Sequence, residues 1–145
     1  MPDLTLPLAD WIHQWDAEAA NRKPVILAVD DSPVILQSVS FLLGETYKVY
    51  TLPKPTELEK VLQKLAPDLF LLDYKMPEIS GFELVPVIRS FERHKDTPIM
   101  FLTSEGTVSN VTAALALGAC DFVVKPFKPE ILREKIAKHI GKKTI

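Results

Sequence analysis

The sequence has a single cysteine and no long apolar run. Cys120 has no partner for an internal disulfide, which is typical of a reducing compartment, and we expect it to be a small, buried apolar residue. No uninterrupted apolar stretch approaches the ~20 residues of a membrane span. The first residues include Asp3 and no basic cluster, so no secretory signal is expected. The sequence therefore predicts a cytoplasmic protein without membrane contact.

The chain also lacks a strong excess of either charge. Its 17 lysines and arginines face 19 aspartates and glutamates, giving a formal net charge of −2, and no long basic block is present. Nucleic-acid binding is therefore not expected. With 145 residues, 47% of them hydrophobic, the chain has the size and composition of one globular domain that buries a core without disulfides.

Five short apolar segments alternate with segments of helical length. They are VILAVD (25–30), YKVYTL (47–52), DLFLLD (68–73), TPIMFLT (97–103) and CDFVVK (120–125). Unbroken apolar runs are typical of strands covered on both faces, as in parallel sheets. The alternation predicts an open α/β sheet with helices on both faces.

The segments between the strands carry apolar residues at helical spacing. In the first, Val34, Leu36, Val39, Leu42 and Leu43 indicate a helix that ends at Gly44. In the last, Ile131, Leu132, Ile136, Ala137 and Ile140 are predicted to share one face of a helix that ends before Gly141. The three histidines, His13, His94 and His139, show no metal-ligand spacing and are expected at the surface.

Polar residues stand where the predicted strands end. Asp30 and Asp31 follow the first strand, Asp73 the third, Thr103 the fourth and Lys125 the fifth. Parallel strands bring these side chains to one edge of the sheet. Three nearby carboxylates either take up protons or bind a cation, and an all-oxygen ligand set favours Mg²⁺. By themselves, the first two acids would also suit the N-cap of the helix that begins near Pro33.

A carboxylate beside a cation and a lysine can act as a nucleophile toward a phosphoryl group. Asp73 is the best candidate because it stands alone at the end of its strand. Its phosphorylation would need positioning and charge neutralisation, which the other acids, a bound Mg²⁺ and Lys125 could supply.

Four motifs in order, AVDDSP, LLDYKMPEISGFEL, FLTSE and VVKPF, resemble the receiver domain of two-component response regulators. The resemblance covers about residues 24–140. It implies a flavodoxin-like, doubly wound parallel sheet of five strands in the order 2-1-3-4-5, with five helices. We expect a helical extension over residues 1–23, the receiver domain over 24–141 and a short tail over 142–145.

The resemblance also assigns roles to individual residues. Asp73 matches the acceptor of a phosphoryl group from the phosphohistidine of a sensor kinase or phosphotransfer protein. Asp31 matches a direct Mg²⁺ ligand, Asp30 an acid that binds the metal mainly through water, and Lys75 a residue whose backbone carbonyl is a further ligand.

Three further positions match the family's phosphate-sensing residues. Thr103 matches the hydroxyl that bonds a phosphoryl oxygen, and Lys125 matches the ammonium that pairs with it. The bond between Lys125 and Pro126 is expected to be cis. Phe122 occupies the aromatic switch position, which turns inward as Thr103 moves toward the phosphoryl group.

As in most receivers, the fourth helix, fifth strand and fifth helix are expected to form the face that contacts a downstream protein. Since no output domain is visible, we expect a stand-alone signalling module, not a turnover enzyme.

The alternative is an adaptor or dimerisation module that works without phosphorylation. A phosphatase of the haloacid-dehalogenase type is disfavoured because AVDDSPV has adjacent acids where that class has D-x-D-x-[TV]. A flavin-binding module is disfavoured because a carboxylate-lined pocket repels the flavin phosphate.

The segment before the receiver carries an apolar stripe at helical spacing: Leu8, Trp11, Ile12, Trp15 and Ala19. This stripe suits a helix packed on its own receiver, and the alternative is a helix that contributes to a homodimer or binds another protein. Two further charges, Lys75 and Glu105, lie two positions beyond Asp73 and Thr103, where an ion pair could slow loss of the phosphoryl group.

Overall fold

The computed structural model describes residues 23–104 and 108–140, and for residues 108–111 it describes the backbone alone. Five parallel strands form one sheet: β1 (Val25–Val29), β2 (Lys48–Leu52), β3 (Leu69–Asp73), β4 (Ile99–Thr103) and β5 (Asp121–Val124). Their order across the sheet is β2-β1-β3-β4-β5. The predicted topology is therefore confirmed, and the order of the strands reverses between β1 and β3.

Within the described residues, each strand is followed by one α-helix: α1 (Pro33–Leu43), α2 (Leu58–Leu62), α3 (Gly81–Arg89), α4 (Val108–Ala116) and α5 (Pro129–His139). Two single 3₁₀ turns, Pro55–Glu57 and Glu92–His94, precede α2 and β4. The predicted extension over residues 1–23 lies outside the described residues except for Lys23, as does the tail over 142–145.

The core has one layer on each face of the sheet. Leu36, Val39 and Leu43 from α1 pack with Leu132 and Ile136 from α5 on one face. Leucines and valines of α2 and α3, with Ala114 of α4, cover the other face. The central strands β1, β3 and β4 are buried along their whole length, whereas β2 and β5 are partly exposed. The prediction that all five strands are covered on both faces is wrong for these two, because each lies at a sheet edge.

Helix α1 begins and ends as its sequence predicts. The Ser32 hydroxyl accepts a hydrogen bond from the Ile35 N–H at 3.4 Å, and Pro33 occupies the first turn, where no backbone donor is needed. The helix ends at Leu43, and the Gly44 N–H donates to the Ser40 carbonyl at 2.9 Å. Val34 is 69% exposed and Ile131 in α5 is 41% exposed, so the apolar residues at helical spacing are not all buried.

His94 is buried, which contradicts its predicted surface position. Its Nδ1 lies 2.8 Å from the Thr97 hydroxyl, and its ring meets the Phe70 ring edge-on at 5.1 Å between centroids. His139 is partly buried, and its Nε2 lies 3.0 Å from Asp121. Both histidines serve packing and pairing in the fold. Within the described ranges, no helix has both the length and the apolar character that crossing a membrane requires.

Candidate functional site

Three carboxylates meet at the carboxyl ends of β1 and β3. Carboxylate oxygens of Asp30, Asp31 and Asp73 lie within 4.8 Å of one another. Asp30 and Asp73 are buried, while Asp31 is exposed. The cluster forms because β1 and β3 are adjacent parallel strands, paired from Ile26 with Leu69 onward. The predicted convergence of the three acids is confirmed.

Lys125 directly follows the edge strand β5 and forms hydrogen bonds to two of these acids. Its ammonium donates to Asp30 Oδ2 at 2.9 Å and to Asp73 Oδ1 at 3.0 Å. The Lys125 N–H donates to the Thr103 carbonyl at 2.7 Å, which continues the pairing of β4 with β5. The bond from Lys125 to Pro126 is cis, as expected. One lysine therefore neutralises part of a buried acidic pair.

The Asp30 side chain is held at both oxygens. Its Oδ1 accepts the Ser32 N–H at 2.9 Å, and its Oδ2 accepts Lys125. Ser32 is therefore both the cap of α1 and the donor that orients this acid. The N-cap interpretation of the two acids is wrong, because the capping hydroxyl belongs to Ser32, and Asp30 and Asp31 are instead part of the acidic cluster.

The electrostatics of the site favour a cation. Burial raises the pKa of the Asp73 carboxyl to about 6, the Lys125 hydrogen bond opposes this rise, and the charge of Asp30 adds to it. Burial lowers the pKa of Lys125, but its hydrogen bonds to Asp30 and Asp73 outweigh burial and leave the pKa raised. Oxygen donors this close together, with only one ammonium among them, are the donor set that Mg²⁺ prefers. The residues present fit a hard divalent cation.

Thr103 lies at the end of β4, beside the acid of β3. It is 6% exposed, and its neighbour Leu102 is paired with Asp73 in the sheet. Lys75 is exposed in the loop after β3. Glu105, predicted to face Lys75, lies outside the described residues.

Gly81 lies against the backbone of Asp73. A Cβ atom at this position would come within 2.4 Å of the Asp73 carbonyl oxygen and 2.8 Å of the Phe101 ring. The Gly81 N–H donates to the Tyr74 carbonyl at 2.9 Å, and the rings of Tyr74, Phe82 and Phe101 pack edge to face. The start of α3 therefore packs against the segment that carries Asp73, and this close contact is possible only because residue 81 is glycine.

An ion-pair network that was not predicted from the sequence lies beside Phe122. Lys135 donates to the Phe122 carbonyl at 2.7 Å and to Asp121 at 3.0 Å, and its ammonium lies 4.6 Å from the centre of the Phe122 ring. His139 approaches the same acid. Burial raises the pKa of Asp121, but bonds from the Phe122 N–H, Lys135 and His139 outweigh it and leave the pKa lowered. Lys135 and His139 are four residues apart on α5 and therefore lie on the same side of the helix, and this spacing was the sequence signal for the network.

Comparison with known proteins agrees with this geometry. The sequence model of the response regulator receiver domain matches residues 26–137. The chain belongs to the response regulator receiver domain family. Chemotaxis protein CheY1 of Helicobacter pylori is 33% identical over 119 residues, a match that spans 80% of this chain and 96% of CheY1.

Solved structures show the same architecture. Chemotaxis protein CheY4 of Vibrio cholerae superposes with a TM-score of 0.77 and 36% identity, covering 81% of this chain and 99% of CheY4. A response regulator of Chloroflexus aurantiacus gives a TM-score of 0.75 with 29% identity over 81% of this chain and 97% of that chain. Receiver domains of this family are phosphoacceptors in signalling, generally bind Mg²⁺ at an acidic pocket, and interact with histidine kinases and downstream targets.

Proposed function

We propose that this receiver accepts a phosphoryl group on Asp73 from the phosphohistidine of a histidine kinase or phosphotransfer protein, in a Mg²⁺-dependent reaction, and then changes its binding to a protein partner. The observation that carries the proposal is the position of Asp73. It is a buried carboxylate within reach of two other acids and hydrogen-bonded to one ammonium. This arrangement suits phosphoryl transfer, which depends on positioning and charge neutralisation more than on covalent chemistry from the protein.

The residues have distinct parts in the proposed reaction. An Asp73 oxygen attacks phosphorus, and the bond from phosphorus to the donor's histidine nitrogen breaks, so that an acyl phosphate forms and the donor leaves with its electron pair. Lys125 already donates to Asp73 and is positioned to donate to the new phosphoryl oxygens. The Thr103 hydroxyl, at the end of the neighbouring strand, is the proposed donor to another of them.

Asp30, Asp31, Asp73 and the Lys75 carbonyl would hold the metal. A bound Mg²⁺ would supply positive charge that offsets the anionic phosphoryl group and the three acids. Asp31 is the exposed member of the acidic set, so it can exchange its contacts with solvent when a cation binds. Asp30 is fixed by Ser32 and Lys125, which fits the less direct role that the family pattern gives it.

The proposed partner face consists of α4, β5 and α5. Each element exposes a large apolar side chain: Leu115 is 48% exposed, Val124 42% and Ile131 41%. Phe122, the proposed switch residue, lies on the strand between the two helices, and its ring is covered by the Lys135 ammonium. On phosphorylation, Thr103 would move toward the phosphoryl group and Phe122 would turn inward, which would change the surface of this face. We place this signalling in the cytoplasm.

Phosphate transfer from a small donor tests the proposal. Purified protein incubated with acetyl phosphate and Mg²⁺ is expected to gain one phosphoryl group by mass spectrometry, and chelation of Mg²⁺ should prevent this. Asp73→Asn should abolish labelling, whereas Asp96→Asn, an exposed acid before β4, should leave it unchanged. Labelling that persists in Asp73→Asn would contradict the assigned acceptor. Failure of the unsubstituted protein to label would favour a phosphorylation-independent adaptor.

A further inference from the structure

The side chain of Lys135 crosses the outer edge of the sheet. Helix α5, which carries it, packs through Leu132 and Ile136 on the same face of the sheet as α1. The ring of Phe122 packs on the opposite face, against the layer formed with α2, α3 and α4. The Lys135 ammonium still lies 4.6 Å from the centre of this ring. It reaches the ring because β5 is the outermost strand of the sheet that the structure describes.

The backbone of Phe122 fixes the position of this ammonium. The Phe122 N–H donates to Asp121 Oδ1 at 2.8 Å, and the Phe122 carbonyl accepts from Lys135 at 2.7 Å. Lys135 also donates to Asp121 Oδ1 at 3.0 Å. Side chains therefore bond both backbone groups of Phe122, as is needed where an edge strand has no neighbouring strand to bond them. None of these three hydrogen bonds involves the Phe122 ring, so the ammonium is held at the edge independently of the ring.

A second residue of α5 supports this arrangement. His139 Nε2 lies 3.0 Å from Asp121 Oδ2, so Asp121 contacts Lys135 through one oxygen and His139 through the other. The side chains of Lys135, Asp121 and His139 are between 17% and 29% exposed. Their contacts are therefore screened less by salt than those of a fully exposed pair.

The fixed ammonium favours one position of the Phe122 ring. A cation over the face of an aromatic ring is attracted by the negative charge of that face. The Phe122 ring is partly exposed, and the ammonium lies over it. A ring that turns inward loses this attraction, because the ammonium remains bonded to the Phe122 carbonyl at the edge. The contact with Lys135 therefore stabilises the outer position of the ring relative to an inward one.

We infer that Lys135 is a positioning residue that holds the Phe122 ring at the edge of β5 and opposes its inward movement on phosphorylation. This inference rests on the proposed function, in which Phe122 turns inward when Asp73 carries a phosphoryl group. An interaction made only in the outer position lowers the population of the inward state, and a ligand that favours the inward state then binds more weakly. Lys135 therefore controls, from outside the acidic site, how readily that site is occupied.

Binding of beryllium trifluoride in the presence of Mg²⁺ tests the inference. This anion coordinates a carboxylate oxygen with tetrahedral geometry and stands in for the phosphoryl group, and calorimetric titration gives its dissociation constant. Lys135→Met keeps a flexible, unbranched side chain without the charge and should lower the dissociation constant about two- to tenfold. Lys138→Met, which removes an exposed lysine from the same helix, should leave it unchanged.

Two further variants separate positioning of the ring from a general structural effect. Phe122→Leu removes the aromatic face, so adding Lys135→Met to it should change the dissociation constant less than about twofold. Lys135→Arg keeps a cation over the ring and should bind like the unsubstituted protein. Circular dichroism should show every variant folded, because Lys135 is partly exposed and its loss leaves the core intact.

The remaining outcomes distinguish this inference from the proposed function. An unchanged or weaker affinity in Lys135→Met overturns the inference and leaves the proposed phosphorylation of Asp73 intact. An equal gain in the Phe122→Leu background also overturns it, because the effect would then not pass through the ring. If the unsubstituted protein binds no beryllium trifluoride, or if Asp73→Asn binds it equally well, the proposed function fails and this inference fails with it.

Discussion

Asp121 is a charged residue outside the phosphorylation site that has three hydrogen-bond partners. It accepts hydrogen bonds from the Phe122 N–H, Lys135 and His139, and its side chain is 17% exposed. These bonds lower its pKa in the folded state despite burial. Because the folded pKa lies below the unfolded one, the carboxylate stabilises the fold above the ordinary aspartate pKa of about 3.9. That contribution is lost as the pH falls through the folded value.

Asp121→Asn should therefore lower the free energy of unfolding by roughly 1–2 kcal/mol at pH 7, a value reduced from that of fully buried charged pairs by partial exposure. The difference from the unsubstituted protein should disappear in acid, where both side chains are neutral. Urea unfolding at a series of pH values measures this. Glu92→Gln, in a surface pair with Lys95, should cost less than about 1 kcal/mol. A difference for Asp121→Asn that is constant with pH would contradict the charge-based explanation.

Gly81 affects the phosphorylation site because it has no side chain. Gly81→Ala would place a methyl group against the Asp73 carbonyl and Phe101, so we expect a loss of roughly 1–3 kcal/mol in unfolding free energy. The substitution should also slow labelling of Asp73 by acetyl phosphate, since the segment that carries the acceptor must move.

Gly118→Ala is the matched comparison for Gly81→Ala. Gly118 has a φ of +98° with open space around it, so alanine there is strained without contacting the site. We expect a cost of roughly 1–2 kcal/mol from backbone conformation and unchanged labelling of Asp73. Equal labelling rates in the two variants would contradict a supporting role for Gly81.

Among the elements, α5 shows how a helix divides its side chains between the core and the partner face. Leu132 is completely buried, whereas Ile131, its neighbour in sequence, is 41% exposed. Leu132→Ala should cost about 2–5 kcal/mol in unfolding free energy because it leaves a cavity. Ile131→Ala should change it by less than about 0.5 kcal/mol.

The same two variants separate stability from partner binding. If α5 is part of the partner face, Ile131→Ala should leave thermal unfolding unchanged and weaken capture of a partner by the phosphorylated protein. A large loss of stability in Ile131→Ala would instead show that this side chain is part of the core, which would remove it from the proposed face.

For the whole molecule, the acidic cluster should couple metal binding to stability. A cation that binds the folded state alone stabilises it by about 2.7 kcal/mol at 100 times its dissociation constant. Thermal unfolding temperature should therefore rise steadily with Mg²⁺ concentration at constant ionic strength. Asp31→Asn should abolish this rise while leaving the protein folded, because Asp31 is exposed. Stabilisation that NaCl reproduces at matched ionic strength would contradict a specific site.

The sequence by itself determined the strands, the polar residues at their ends and hence the site. Apolar runs long enough for one strand, alternating with helix-length segments, admit few topologies. Parallel pairing then forces Asp30, Asp31, Asp73, Thr103 and Lys125 to one edge. Ser32 and Pro33 likewise mark the start of α1, because cap and first-turn preferences depend on local backbone groups alone.

Only the tertiary structure decided which apolar and titratable residues are buried. His94 is buried because Thr97 satisfies its ring nitrogen and Phe70 packs against it, and neither contact is visible in a local pattern. Val34 and Ile131 are exposed because each helix buries a narrower stripe than its apolar residues suggest. The pairing of Lys125 with both acids, and of Lys135 with Asp121, depends on distances across the sheet. Sequence spacing fixes neighbours along an element, whereas burial and ion pairing depend on which elements pack together.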